Sequence, residues 1–315
     1  MKIGYPCINR SIGCSSGRTF RLRSYSEEKL RGSIEANLAC LELMIEFNDK
    51  AGLGFLRISS GIVPFASHPV CTFKWQRLYA KRLASIGRRI KRAGMRISMH
   101  PDQFVLVNAL EERIFESSLR ELVYHCELLD SMELSRSAKI QIHIGGLYGD
   151  REKSLARFSG RFAGLPEAVK KRLAIENDDR LFGLADCMRL HGATGVPVIF
   201  DSFHHALKND GEPLSEALAL AASTWRARDG LPMVDYSSQK SGARPGSHAE
   251  SIDPADFREF LKSTEPADFD LMLEIKDKER SAAKAVLIAS SDARLLRTNG
   301  FEGATQPLTG TRRGK

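Results

Sequence analysis

The chain has 315 residues, which exceeds the commonest domain size but is normal for a single α/β barrel of roughly 250 residues with extensions. Its formal net charge of +8 favours a polyanionic partner such as nucleic acid. The first residues lack the apolar core of a signal peptide and no run approaches about 18 apolar residues, so the sequence argues against export and membrane spanning and predicts a cytoplasmic protein.

Short apolar runs alternate with longer amphipathic segments along the chain. The first predicted helix, 26–50, begins at Ser26, a residue type that caps helices, and Leu30, Ile34, Leu38 and Leu41 recur within it at spacings of three and four. The predicted strands are 2–5, 55–59, 95–99, 139–144, 172–176, 197–201, 231–236 and 271–275. The predicted helices that follow them are 26–50, 73–93, 110–134, 150–171, 180–192, 214–227, 254–264 and 278–290.

This alternation predicts parallel strands joined by helical crossovers and closed into a single (β/α)8 barrel. The alternative is a doubly wound open sheet, which typically has a glycine-rich phosphate-binding turn after its first strand. The sequence there, YPCINRSIGCSSG, has no GxGxxG. We therefore predict one α/β barrel domain, residues 1–290, followed by a short flexible basic tail, 291–315, that is rich in Gly and Thr.

The six cysteines show no CxxC pair and no compact spacing. They are Cys7, Cys14, Cys40, Cys71, Cys126 and Cys187. A chain of this length does not need disulfides to build a stable core, so we predict reduced thiols.

Residues of the types that bind metal ions lie at the carboxyl ends of the predicted strands. These strand ends form the catalytic face of a barrel. His100 ends the third strand, His143 lies in the fourth, Glu176 ends the fifth, Asp201 ends the sixth and Glu274 lies in the eighth. Further candidates in or just after strands are His68, His204, His205, Asp235 and His248. Mixed imidazole and carboxylate ligands suit Zn²⁺, Mn²⁺ or Fe²⁺.

Each of these residues alone is more often a loop cap or a satisfied hydrogen-bond partner than a ligand. Together they indicate a metal cluster, because burying several acids at one end of a barrel costs several kcal/mol per unpaired charge unless cations compensate them. His125 and His191 lie inside helical patterns, and we interpret both as structural. Of the adjacent pair we favour His204, which lies three residues after Asp201.

Two further features concern the substrate. The segment HPDQFVLVN, 100–108, places Gln103 beside Phe104 directly after a predicted ligand, and such a pair can hydrogen-bond to and stack on a base. The segment 74–96 is dense in Lys and Arg. It is either a solvated outer face of the barrel or a surface that contacts phosphates.

Six separated motifs occur in one order along the chain: GYPCINRS (4–11), RISSGIVPFASHP (57–69), SMHPDQFVLVN (98–108), IHIGG (142–146), IEND (175–178) and DSFHH (201–205). Together they resemble the ultraviolet damage endonuclease family. The resemblance implies a TIM barrel related to endonuclease IV with a divalent metal cluster, usually manganese, of roughly two or three ions. It also implies a DNA repair enzyme that cuts the backbone immediately 5′ to ultraviolet photoproducts (cyclobutane dimers and 6-4 photoproducts) and some other lesions, without ATP, and leaves a 3′-hydroxyl.

Carried over residue by residue, the resemblance implies roles for particular side chains. The implied metal ligands are His100, His143, Glu176, Asp201, His204, His248 and Glu274, with His68 close by. We assign Glu176, Glu274 and His68 to catalysis. Gln103 and Phe104 would be probes inserted at the lesion, and Tyr5 and Asn9 would contact the flipped-out nucleotides.

Two positions depart from the family pattern. The second probe is often tyrosine, and Phe104 keeps its stacking face without the hydroxyl. The seventh strand is expected to read Lys-x-His, with a lysine that can become carboxylated, whereas this chain has Met233 and Asp235. Asp235 can still bind metal, and we include it among the predicted ligands, but the modified lysine has no counterpart.

The resulting hypothesis is metal-assisted hydrolysis of damaged double-stranded DNA by a monomer that needs no nucleotide cofactor and no membrane. Two alternatives stay open. One is a sugar isomerase or epimerase of the xylose-isomerase-like barrel type, against which the net charge of +8 and the Gln103–Phe104 pair argue. The other is a non-catalytic DNA-damage sensor with structural metals, against which open coordination positions would argue.

Overall fold

The computed structural model describes residues 1–296, which contain a closed barrel of eight parallel strands. The strands are β1 (Ile3–Pro6), β2 (Phe55–Ile58), β3 (Arg96–Met99), β4 (Lys139–His143), β5 (Leu173–Glu176), β6 (Val198–Asp201), β7 (Met233–Tyr236) and β8 (Asp270–Leu273). Each strand pairs with the next along the chain, and β8 pairs with β1. The predicted (β/α)8 TIM barrel is confirmed, and the doubly wound open sheet is wrong.

Helices surround the barrel and cover its outer surface. They are α1 (Glu27–Lys50), α2 (Trp75–Leu78), α3 (Ala80–Arg92), α4 (Glu112–Ser131), α5 (Arg151–Ala163), α6 (Glu167–Arg172), α7 (Leu184–Thr194), α8 (Ser202–Leu207), α9 (Leu214–Ser223), α10 (Pro254–Ser263) and α11 (Glu279–Ile288). Among the residues that the structure describes, no helix is both long and apolar enough to span a membrane.

Helix α1 forms as its sequence predicts. The Ser26 hydroxyl accepts a hydrogen bond from the Lys29 amide at 3.2 Å, which caps the first turn. The predicted apolar stripe, from Leu30 to Ile45, is buried against the barrel. This burial fixes the helix on the outer face of the strands.

Two predicted helices divide in the structure, a third, 180–192, begins later than predicted, and a fourth, 214–227, ends earlier, at Ser223. The basic segment 73–93 divides at Tyr79 into α2 and α3, and the segment 150–171 divides before α6 because Pro166 has no amide hydrogen to donate. Helix α7 begins at Leu184 because the Asp178 carboxylate accepts hydrogen bonds from the Arg180 and Phe182 amides and holds the preceding residues in a turn. The short helix α8 was not predicted.

Side chains inside the barrel stack in layers, because alternate residues of each strand point inward. At the amino ends of the strands the layer is ionic, with Lys139 Nζ 2.6 Å from an Asp229 oxygen and Arg96 3.2 Å from Asp270. The middle layer is apolar and contains Phe55, Ala174, Ile199, Met233 and Met272. The layer at the carboxyl ends is polar and contains most of the predicted metal ligands.

The prediction that all six cysteines are reduced is wrong, because Cys14 and Cys40 form a disulfide. These residues are 26 positions apart in the sequence, but the loop after β1 folds back along α1 and brings their Cα atoms to 5.8 Å. Sequence spacing gave no sign of this contact, since it depends on the path of the loop. The free cysteines are Cys7, Cys71, Cys126 and Cys187.

The predicted tail, 291–315, lies mostly outside the described residues, since the description ends at residue 296. Its beginning follows the amino end of the barrel. The Leu296 amide donates to the Met1 carbonyl oxygen at 2.8 Å, and Arg294 Nη2 donates to the Leu261 carbonyl oxygen at 2.8 Å.

Two helical glycines provide a matched test of helix packing. A Cβ on Gly87 in α3 would lie 1.7 Å from the carbonyl oxygen of Met132, whereas a Cβ on Gly32 in α1 would meet nothing within 4 Å. We expect Gly87→Ala to lower the free energy of unfolding by about 1 to 3 kcal/mol. Gly32→Ala should raise it by about 0.5 to 1 kcal/mol, because alanine loses less backbone entropy. Denaturant unfolding followed by circular dichroism measures both, and equal values would contradict the close packing at Gly87.

Candidate metal centre

Glu176 lies at the centre of the polar layer, at the carboxyl end of β5. Its Oε2 lies 3.3 Å from His100 Nε2 and 3.8 Å from His143 Nε2, while its Oε1 lies 3.2 Å from His204 Nδ1. The residue is 1% exposed. Its two oxygens therefore face two different sets of imidazoles.

Two triads of potential metal ligands share this carboxylate. The first consists of His100, His143 and Glu176, and the second of Glu176, Asp201 and His204. In each triad, one ligand atom from every residue lies within 4.8 Å of the others. If both groups held a cation, Glu176 would contribute a ligand oxygen to each.

The second triad depends on the local fold of β6 and α8. Asp201 ends the strand, and its Oδ1 accepts hydrogen bonds from the Phe203 and His204 amides, both at 2.8 Å. This cap starts the helix and brings the His204 ring back over Asp201, three residues earlier, with Nδ1 3.4 Å from Asp201 Oδ2. His205 points elsewhere, and its Nε2 lies 3.2 Å from the Glu212 carbonyl oxygen.

The electrostatics of the triads fit bound cations. Burial would raise the pKa of Glu176, but His143, His100 and His204 outweigh it and the pKa lies well below its usual value. Burial would lower the pKa of His204, but Asp201 and Glu176 raise it to about 11. Burial would also lower the pKa of His100, but Glu176 raises it, whereas burial lowers the pKa of His143. Without a metal ion, the buried acids therefore favour protons on His204 and His100 but not on His143. A divalent ion would supply the same positive charge and leave the imidazoles neutral, as ligands require.

Two buried atoms of the triads have no hydrogen-bond partner among the described residues. They are His143 Nδ1 and Asp201 Oδ2. Buried polar atoms are nearly always paired, so such atoms call for an explanation. Together with the mixed nitrogen and oxygen donors, they show that the residues present fit a divalent transition-metal ion.

A second polar group lies beside the triads, and two of its members, Arg57 and Gln141, were missed from the sequence. Arg57 on β2 donates from Nη2 to Asp235 Oδ2 at 2.7 Å and to Gln141 Oε1 at 2.8 Å, and its Nη1 contacts Glu274. Gln141 Nε2 in turn donates to Glu176 Oε2 at 2.5 Å and to Asp235 Oδ2 at 2.6 Å. Burial raises the pKa of Asp235 to about 7, although Arg57 opposes the shift. The available signal was a charged residue inside the short apolar strand FLRIS.

The remaining predicted ligands lie outside both triads. His248 Nδ1 lies 2.9 Å from Ser237 Oγ and 2.8 Å from the Glu274 carbonyl oxygen. His68 is exposed on the loop after β2, where its Nδ1 accepts a hydrogen bond from the Val70 amide at 3.1 Å. Asp235 and Glu274 pair with Arg57.

The predicted DNA-contacting residues fall into two pairs with opposite exposure. Phe104 is 72% exposed and Gln103 is also exposed, both on the loop after β3. Tyr5 and Asn9 are buried, Asn9 Nδ2 donates to the Tyr5 hydroxyl at 2.9 Å, and that hydroxyl donates to Asn48 at 2.9 Å. The first pair is available to a ligand at the surface, and the second is held inside the protein.

The two histidines interpreted as structural are engaged away from the triads. His125 Nδ1 lies 2.7 Å from the Glu121 carbonyl oxygen, and its Nε2 lies 2.9 Å from Ser60 Oγ. His191 Nδ1 lies 2.8 Å from the Val196 carbonyl oxygen. These contacts give both imidazole rings hydrogen-bond partners outside the triads, as expected for structural histidines.

Comparison with known proteins identifies close relatives of this chain. Residues 1–293 match the family described as UV-endonuclease UvdE. Over 288 residues the chain is 36% identical to a UV DNA damage endonuclease of Clostridium perfringens (strain 13 / Type A), covering 91% of this chain and 70% of that protein. The crystal structure of SacUVDE matches with a TM-score of 0.88 and 44% identity, covering 92% of this chain and 98% of that one.

More distant structures share the barrel alone. Endonuclease IV from Thermus thermophilus matches with a TM-score of 0.55 at 16% identity, over 80% of this chain and 93% of that one. A D-psicose 3-epimerase from Clostridium cellulolyticum matches with a TM-score of 0.53 at 12% identity, over 79% of this chain and 92% of that one. The fold by itself therefore does not separate a nuclease from a sugar epimerase.

The shared position of Glu176 leads to a graded prediction for metal binding. With Mn²⁺ as the probe ion, His100→Ala and His204→Ala should each weaken one site by more than about 100-fold, beyond the effect usual for outer-shell substitutions. Glu176→Gln should weaken both sites. Isothermal titration of metal-free protein measures the sites. His191→Ala is the matched control and should bind as the unaltered protein does; a Glu176→Gln variant with unchanged binding would contradict the shared carboxylate.

Proposed function

Because this chain belongs to the UV-endonuclease UvdE family and is a UV DNA damage endonuclease, we propose that it cuts damaged double-stranded DNA immediately 5′ to a photoproduct by metal-assisted hydrolysis and leaves a 3′-hydroxyl. The observation that carries the mechanism is Glu176, whose two oxygens face two triads at the carboxyl ends of the strands. Catalysis in barrels takes place at this face.

The triads are the proposed holders of the divalent ions, for which we propose Mn²⁺, with Zn²⁺ as the main alternative. When bound, such ions stabilise charge on a phosphate and acidify water. The protein's part is positioning: Glu176 fixes the spacing of the two sites, and the cap at Asp201 fixes His204. Gln141 holds Glu176 Oε2 from below, so the central carboxylate cannot rotate freely.

Glu274 and His68 stay proposed participants in catalysis, and His248 stays a proposed ligand. Glu274 is 22% exposed at its side chain and lies closer to the open face than the fully buried Asp235. His68 lies on an exposed loop that DNA bound at this face would approach. Nucleotide contacts by Tyr5 and Asn9 also stay predictions, and their burial means that DNA would have to displace residues that now cover them.

Recognition is proposed to combine general attraction with a probe of base stacking. The net charge of +8 favours binding to the DNA backbone without regard to sequence. Phe104, with most of its ring exposed beside Gln103, can take the place of a base in the stack. Damaged bases stack and pair poorly, so moving them out of the helix costs less than the usual few kcal/mol.

Membership of the endonuclease family weighs against the sugar isomerase and against the non-catalytic sensor. A monomeric state and a cytoplasmic location stay predictions. Each of the two alternative functions gives a distinct result in the first assay below.

The proposed activity is tested by a nicking assay with purified protein, Mn²⁺ and a labelled duplex that carries one cyclobutane dimer. We expect a single cut just 5′ to the dimer, with no cut in undamaged duplex, in EDTA or with Glu176→Gln. Tight dimer-specific binding without a cut would instead support the sensor. Neither cutting nor binding, together with turnover of ketoses, would support the sugar enzyme.

The proposed probe is tested by Phe104→Ala. Stacking of a base on an aromatic ring contributes about 1 to 3 kcal/mol, so the preference for dimer-containing over undamaged duplex should fall by about 5-fold to 150-fold. Competition binding with the two duplexes measures this ratio. Leu287→Ala is the matched control, because Leu287 is 57% exposed on α11; an equal loss in both variants, or a loss of bound Mn²⁺ in Phe104→Ala, would contradict the probe role.

A further inference from the structure

Arg10 and Lys278 lie on two loops that meet at the catalytic face of the barrel. Arg10 follows the carboxyl end of β1, and Lys278 lies between β8 and α11. The Glu279 carboxylate accepts a hydrogen bond from the Arg10 amide at 2.8 Å, and Arg10 Nε donates to the Lys276 carbonyl oxygen at 2.9 Å. These bonds join the two loops and hold both basic side chains on the face that also carries the triads.

Both side chains carry charges that the protein leaves without an acidic partner. Among the described residues, neither Arg10 nor Lys278 takes part in an ion pair, although Arg10 is exposed and Lys278 is half-buried. The acids on the same two loops are engaged by other groups. Glu274 pairs with Arg57, and both oxygens of Glu279 accept hydrogen bonds from the loop after β1.

The surroundings of the Lys278 ammonium group favour an added negative charge. Burial lowers the pKa of this lysine, although Cys7 and Glu274 oppose the shift, and Arg57 and Arg10 lower it further. Burial raises the pKa of the Cys7 thiol, which therefore carries no charge near neutral pH. Because Arg10 and Lys278 repel each other, an anion that approaches both of them is attracted by both.

The backbone of Lys278 adopts a conformation that lysine rarely takes. Its φ is 58° and its ψ is −117°, outside the regions that side chains other than glycine favour. Glycine would take this conformation without strain. A lysine here therefore lowers the stability of the fold, and strained residues of this kind cluster at functional sites. This strain indicates that the ammonium group has a role other than stability.

We propose that Arg10 and Lys278 hold the phosphate backbone of one DNA strand, with one phosphate contact each, where the loops after β1 and β8 meet. The inference rests on the proposed function and adds the place where the protein holds the strand. A guanidinium can donate two parallel hydrogen bonds to a phosphate, and an ammonium group supplies a point charge. Such contacts fix the position of the protein on the duplex and do not read the bases.

The test measures the salt dependence of DNA binding. Protein loaded with Mn²⁺ is titrated with a fluorescent undamaged duplex at several KCl concentrations. Each phosphate contact adds about 0.9 to the slope of log affinity against log salt, because counterions leave the DNA. We expect Lys278→Gln to bind about tenfold more weakly at roughly 50 mM KCl, and this loss to shrink by about 3-fold to 4-fold at roughly 200 mM.

Nicking of the dimer-containing duplex gives a second measurement. The DNA concentration that gives half of the maximal rate should rise in Lys278→Gln and in Arg10→Gln, with little change in the maximal rate, because the pair binds the strand away from the triads. Lys278→Arg keeps the charge and should restore binding. Lys284→Gln is the matched control, since Lys284 is exposed on α11 and the change removes the same charge.

Lys278→Gly separates the role in binding from the role in the fold. It removes the ammonium group and relieves the backbone, so DNA affinity should fall while the midpoint of denaturant unfolding stays equal or rises. A lower midpoint in this variant would show that the lysine serves the fold and would overturn the inference. Equal losses of affinity in Lys278→Gln and Lys284→Gln, or an unchanged salt slope in both Lys278→Gln and Arg10→Gln, would also overturn it.

The inference and the proposed function fail in different ways. A protein whose salt slope changes as expected but that cuts no dimer-containing duplex would contradict the proposed function and leave the backbone contact intact. One that cuts beside the dimer while its salt slope is unchanged in both variants would do the reverse.

Discussion

The negative charges of carboxylates buried at the carboxyl ends of the strands must be compensated by positive charge. The groups that supply this positive charge determine most of the arrangement of the site. Glu176, Asp201 and Asp235 are each less than 2% exposed. Water cannot stabilise charges at that depth, and an uncompensated one costs several kcal/mol. Histidines surround Glu176 and Asp201, while Arg57 pairs with Asp235. The same layer thus contains two kinds of positive charge. Around Glu176 and Asp201, a metal ion can replace protons on imidazoles. Beside Asp235, the Arg57 guanidinium carries a permanent charge.

The layers below confine the buried acids of the site to the upper end of the barrel. The apolar layer of Phe55, Ala174, Ile199, Met233 and Met272 separates the upper acids from the ionic layer at the amino ends of the strands. Met233 lies two residues before Asp235 and therefore points into the barrel one layer lower. A polar side chain at 233 would extend the upper layer downward. With methionine there, Arg57 and Gln141 meet Asp235 from the same level and close the lower side of the site.

The sequence predicted the fold and the first triad because both depend on short-range pattern. Strand alternation and strand ends identify His100, His143 and Glu176 without knowledge of loops. Asp201 and His204 were predicted for the same reason, because they are three residues apart. The short helix α8, which was not predicted, brings their side chains together. The Arg57 pair and the disulfide between Cys14 and Cys40 could not be predicted, because each joins elements whose contact depends on the register of the barrel or on the path of a loop. The metal role of Asp235 stays a prediction, and its position at a strand end did not reveal that it also pairs with Arg57.

The proposed recognition residue lies at the protein surface, whereas the candidate metal ligands are mostly buried. This difference bears on how a damage-specific enzyme avoids cutting normal DNA. The triads are mostly buried, while Phe104 is 72% exposed on a loop above them. Phe104, the proposed probe, carries no charge, so it would add little to the general attraction between a basic protein and DNA. Its proposed contribution depends on whether the bases beside it unstack readily. In the proposed function, a scissile phosphate would reach the triads only when the DNA helix deforms toward the mouth of the barrel, and lesions lower the free energy of that deformation. On this proposal, selectivity would come from the stiffness of the DNA itself.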